Sequence, residues 1–177
     1  GTITIGQSGE TISVPSGATL DMSSATTTLS SSMKNTPMFV VAMSGNQSLG
    51  AGSTTKIQFD TEVFDTAGNY DPTTNYRFTP TTAGKYLIEV SLQFAGGTSD
   101  LYYCYAYIYK NGSAVKISQN DFQNNYANTH NATASYIVDM NGSSDYVEAY
   151  GHIYNSGNVN ALDSSAKASV FKGYKLI

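Results

Sequence analysis

Tryptophan is absent from this 177-residue chain, and cysteine occurs once, as Cys104. A single thiol excludes an intrachain disulfide, so the chain is not a disulfide-stapled secreted mini-domain and fits assembly in a reducing compartment. Arginine also occurs once, as Arg77, which excludes a guanidinium cluster for phosphate or carboxylate recognition. Charged residues make up only 12% of the chain, and nine Lys+Arg against thirteen Asp+Glu leave a net charge of −4. That balance argues against nucleic acid or an anionic membrane as partner. No apolar run reaches the roughly 20 residues of a membrane-spanning helix, so no membrane insertion is expected. The chain opens on Gly1-Thr2 without a signal-like segment and reads as a fragment or processed product.

Catalytic signatures are missing as well. G-x-S-x-G, H-E-x-x-H and P-loop patterns do not occur, and the two histidines, His130 and His152, have no motif-placed nucleophile. Cys104 sits mid-strand among tyrosines and reads as an inert core thiol. No enzyme, catalytic residue or cofactor is expected. The carboxylates Asp60, Asp65, Asp71, Asp100, Asp121 and Asp163 are scattered, without D-x-D-x-D-G spacing, and read as turn caps.

What is present is neutral and polar: Thr, Ser, Asn, Gln and Gly, with fourteen tyrosines. Low charge protects exposed sheet edges poorly. Burying edges and flat faces in an oligomer would answer that weakness. The segment Gly1–Thr36 has no aromatics and carries short period-2 apolar pairs such as Ile3/Ile5 and Ile12/Val14 between Gly, Ser and Pro turns. It is too polar to build its own core. Two readings stand: a β-stem of three intertwined copies, or a flexible linker.

Pro37–Ile177 alternates apolar and polar residues between frequent turn signals, the pattern of an all-β sandwich. Ten strands are expected: Met38–Met43, Thr55–Phe59, Glu62–Phe64, Arg77–Thr79, Lys85–Phe94, Leu101–Lys110, Ala114–Ser118, Ala132–Met140, Tyr146–Tyr154 and Ala166–Leu176. Two connections are tight, Asn111-Gly112 and Asn141–Ser144, and Asn-Gly is the strongest short hairpin signal. Three are longer: Ala95–Asp100, Gln119–Asn131 and Asn155–Ser165. Strand parity puts the tight turns and the C-terminus at one end and the longer loops at the other.

The block Lys56–Leu92 orders an aromatic-bounded strand, a Gly/Asn/Asp/Pro turn region, Phe78-Thr79-Pro80, and then Ala83-Gly84 before a long alternating strand. With Ile108–Val115, Asp145–Ala149 and the closing Phe171-Lys-Gly-Tyr-Lys-Leu-Ile177, it resembles the complement-q and tumour-necrosis-factor-type jelly roll. The family's cysteines and a collagen-like stalk are missing. Thr2–Leu29 resembles repeat segments that precede the terminal heads of phage tail fibres. The resemblance implies a homotrimeric recognition head on a virion tail fibre that binds a host cell-surface glycan or protein. A structural filament subunit exchanging its N-terminal segment, or a bacterial surface adhesin, are the alternatives. It also leaves calcium open as a metal near the head's apex or trimer axis. Tyr86, Tyr136 and Tyr174 are expected to line that axis.

Three stretches could carry recognition. The loop 120–131 offers amides and hydroxyls in donor and acceptor roles around Tyr126, with Asn124, Asn125, Asn128 and His130 beside it. Asn158 and Asn160 give the loop 155–165 similar chemistry. The third stretch is the row Tyr103, Tyr105, Tyr107 and Tyr109, which shares one face of a strand whose other face is Tyr102, Cys104, Ala106 and Ile108. That row is either a binding platform or cross-strand sheet stabilisation.

Overall fold

The computed structural model describes residue 9 and residues 11–21, 23–24, 35–95, 101–122, 127–155, 160–162 and 168–177. The chain divides into two compact units, Gly1–Ser30 and Ser31–Ile177. In the first, the described residues form no strand, and Ile12, Val14 and Leu20 are exposed. The second is all β, without helix among the described residues.

Thirteen strands follow in order: β1 Met38–Ala42, β2 Gln47–Leu49, β3 Thr54–Lys56, β4 Thr61–Asp65, β5 Tyr70–Asp71, β6 Arg77–Phe78, β7 Gly84–Ala95, β8 Leu101–Lys110, β9 Ser113–Asp121, β10 Thr129–Met140, β11 Val147–Asn155, β12 Asn160–Leu162 and β13 Val170–Lys175. Each of the ten expected strands overlaps an observed one, although the strand expected over Thr55–Phe59 ends at Lys56, and β2, β5 and β12 are additional. One antiparallel sheet runs β4–β1–β13–β7–β10, with β12 beside the end of β7 and β2 outside β12. The other runs β5–β6–β11–β8–β9, with β3 also on β11. This is a jelly-roll sandwich.

The core follows from period-2 alternation. Tyr86, Ile88, Val90, Leu92 and Phe94 of β7 face inward and meet Cys104, Ala106 and Ile108 of β8 and Val147, Ala149 and Ile153 of β11. Phe39 of β1 stacks on Phe78 at 4.2 Å and meets Phe171 edge-on at 5.0 Å. Gly173 sits where β13 crosses this cluster. A Cβ there would stand 2.6 Å from Ile88 Cδ1 and 3.0 Å from Phe39 Cε1, so only glycine fits.

The ends of the sandwich fall as strand parity requires. Asn111 and Gly112 both take positive φ, 51° and 78°, the combination of a two-residue hairpin turn. Asn111 Nδ2 donates to Asp145 Oδ1 at 2.8 Å, Tyr146 N donates to Asn111 Oδ1, and Lys85 N donates to Ile177 O. Both tight turns and the C-terminus therefore share one end. Residues flanking the longer connections pair at the other end: Ala95 with Thr129 and Ala161, Leu101 with Asn155, Tyr103 with Asp121.

The longer loops are shorter than the sequence suggests. Gln119, Asn120 and Asp121 continue β9 by pairing with Tyr105, Cys104 and Tyr103, and Thr129, His130 and Asn131 open β10 against β7. The backbone ladder is filled by polar residues there, which period-2 hydrophobicity does not register.

Candidate functional site: an aromatic face and an apolar face

Tyr103, Tyr105, Tyr107 and Tyr109 project from the outer face of β8, half-buried, while Cys104, Ala106 and Ile108 are buried beneath. Register brings a second aromatic row beside them. Tyr154 lies opposite Tyr103, His152 opposite Tyr105, and Tyr150 opposite Tyr107. Tyr103, Tyr105, His152 and Tyr154 form a stacked cluster: neighbouring rings are 5.1–5.6 Å apart and within 17° of parallel. Tyr109 stacks on Tyr150 at 4.1 Å. The register-paired neighbours are polar or aliphatic: Asp121, Gln119 and Ile117 of β9 on one side, Thr54 and Lys56 of β3 on the other.

Crowding of rings removes water from the polar tips. Desolvation raises the phenols of Tyr105, Tyr107 and Tyr150 above their ordinary pKa, and it lowers His152 below the ordinary imidazole value. Thr54 Oγ1 lies 3.0 Å from His152 Nδ1. Lys56 pairs with Glu148, which is 4% exposed, and its ammonium also donates to Asn75 O at 3.2 Å. Arg77 lies over the Tyr146 ring at 4.3 Å. Lys56 and Arg77, at the border of the aromatic face, are thus already engaged.

The opposite sheet presents a different surface. Ile137, Leu87, Tyr174 and Met38 stand in register across β10, β7, β13 and β1, pointing away from the core. Val40 and Phe64 pair beside them. Ile137 is 53% exposed, Phe64 44% and Tyr174 37%. Met38, Val40, Phe64, Leu87 and Tyr174 line an apolar groove of about 510 Å³, bordered by the Glu89–Lys172 ion pair at 2.8 Å.

The residues expected at the trimer axis separate. Tyr174 belongs to the apolar row. Tyr136 is 47% exposed on β10, opposite Ile88. Tyr86 is a correction: it is fully buried, because it begins the inward row of β7. Its hydroxyl donates to Thr82 O at 2.7 Å, and burial pushes its pKa up to about 12. It cannot line an interface.

Of the loop residues, Asn124, Asn125, Tyr126 and Asn158 lie outside the described residues. Asn128 follows the bridge between Ala127 and Leu101. His130 lies in β10 with its ring 4.7 Å from Phe122. Asn160 lies in β12, paired in register with Leu49. The structure therefore brings together the tyrosine row and adds Tyr150, His152 and Tyr154. Their signal was in the sequence, as alternation in Tyr150-Gly-His-Ile-Tyr154, but only the register of β11 against β8 places both rows on one face.

No group of three or more His, Cys, Asp or Glu among the described residues is placed to hold an ion. Asp60, Asp65 and Asp71 accept hydrogen bonds from the backbone N–H groups of Ser44, Ala67 and Tyr70, and Thr73 to Asn75. Cys104 is fully buried, and desolvation pushes its thiol up to about 12.

No protein-family model matches the sequence, and no curated protein sequence matches it. Solved structures do match. Murine APRIL aligns with TM-score 0.58 and 8% identity over 78% of this chain and 98% of that one. The globular domain of zebrafish complement 1qA aligns with TM-score 0.57 and 13% identity over 80% and 97%. Eiger TNF from S. frugiperda aligns with TM-score 0.54 and 10% identity over 79% and 90%. The chain has the jelly-roll fold of tumour-necrosis-factor and complement-1q domains.

Proposed function

We propose that this chain is a homotrimeric recognition head that attaches the assembly carrying it to a cell surface. The observation that carries the reading is the difference between the two outward sheet faces. One bears an apolar row across four strands, Ile137–Leu87–Tyr174–Met38, suited to burial against further copies. The other bears rigid aromatic side chains with polar tips, suited to a ligand. The likeness to tumour-necrosis-factor and complement-1q heads supports three copies as the number. The finer placement, the tip of a phage tail fibre, is supported by the resemblance of Thr2–Leu29 to segments preceding such heads. In that setting Gly1–Thr36 forms the stem, its exposed Ile12, Val14 and Leu20 finding partners in the other copies.

Light scattering on the purified chain tests the association, with Ile137→Asp and Tyr174→Asp as disrupting variants. A trimer that dissociates on either change is expected. A parent chain that is monomeric at micromolar concentration overturns the reading. Negative-stain micrographs of the native assembly test the placement: a terminal head is expected, and a repeating filament would contradict it.

A further inference from the structure

We propose that the outer face of β8, β9 and β11 binds a neutral, extended oligosaccharide. The inference rests on the reading of this domain as a recognition head and names the ligand class of its aromatic face. Strand β8 is paired on both sides, by β9 and β11, so no peptide can add as a strand beside β8 itself. Recognition over β8 is by side chains.

Three features select the ligand. First, the rings of Tyr103, Tyr105, His152 and Tyr154 stack on one another within 17° of parallel, and sheet register holds them. A rigid aromatic cluster with polar tips offers apolar area to the C–H face of a pyranose at little conformational cost. Second, hydrogen-bonding groups border the aromatic cluster in register. Gln119 is opposite Tyr105, and Thr54 lies against His152. Both side chains can donate and accept, which suits a ligand rich in hydroxyls. Third, charge disfavours acidic glycans. Lys56 is tied to Glu148 and Asn75, and Arg77 is placed over Tyr146. Sulfate, phosphate or uronate groups would have to displace those contacts to reach either cation. Tyr103 to Tyr109 spans about 20 Å of strand, room for several sugar rings in a row.

The test is an array of immobilised cellohexaose, xylohexaose, maltohexaose and chitohexaose, with a sulfated heparin hexamer as the acidic probe. The parent chain is compared with Tyr105→Ala, Tyr154→Ala and Gln119→Ala, each checked by circular dichroism and light scattering. The parent is expected to bind at least one neutral hexamer and not heparin. Tyr105→Ala and Tyr154→Ala are expected to lose about tenfold or more, with unchanged mass. Gln119 is exposed at the rim, so Gln119→Ala keeps the test alive if an aromatic variant misfolds. Three results overturn the inference: no neutral hexamer bound, binding indifferent to the folded variants, or a drop in oligomer mass on Tyr105→Ala, which would make the face a contact between copies. A trimer that binds no glycan sinks this inference alone. A monomer that binds one sinks the trimer reading alone.

Discussion

Tyr105 and His152 face each other in register across β8 and β11, their rings 5.3 Å apart and 17° from parallel. The contact ties the protonation of one ring to the stability of the sheet. Desolvation holds the folded His152 below its ordinary pKa of 6.5. Between the folded value and 6.5 the unfolded chain binds more protons, so acid favours unfolding. Stability contributed by neutral His152 is fully present above 6.5 and is lost as pH falls through the folded value. Melting temperature should therefore fall on acidification more steeply for the parent than for His152→Gln. Parallel profiles of the two proteins would contradict the burial of the ring.

Lys56 and Glu148 make a pair with one buried member. Lys56→Met removes the ammonium that pairs with the buried Glu148 carboxylate. Breaking a fully buried pair costs about 3–5 kcal/mol, and the partial exposure of Lys56 lowers the expected loss to about 1–3 kcal/mol. The double variant Lys56→Met/Glu148→Leu should recover part of it. Urea denaturation checks both.

Gly173→Ala drives a methyl group into Ile88 Cδ1 and the Leu87 carbonyl. Overpacking of this kind costs about 1–3 kcal/mol. A shifted urea midpoint at unchanged slope is the expected result.

Cys104 should not react with Ellman's reagent in the native protein at pH 8, because its thiol is buried and pushed up to about 12. Full reaction should appear only in denaturant.

Much of this architecture is legible in the sequence, because period-2 alternation and the Asn111-Gly112 turn specify strands and register locally. What is not legible arises from long-range pairing. β2, β5 and β12 are two or three residues each and exist only through partners elsewhere in the chain. Tyr86 looks like its neighbours on other strands, yet inward parity buries it. The tyrosine row of β8 is visible in sequence, whereas its completion by Tyr150, His152 and Tyr154 depends on how β11 registers against it. Likewise the apolar row emerges only when four strands align Ile137, Leu87, Tyr174 and Met38, which are far apart in the chain.

That apolar row bears the central claim, and the mass of the purified chain in solution tests it most directly. Light scattering at micromolar concentration should give three times the 18.9 kDa chain, falling to a single chain for Ile137→Asp. A parent protein that stays at 18.9 kDa would contradict the account.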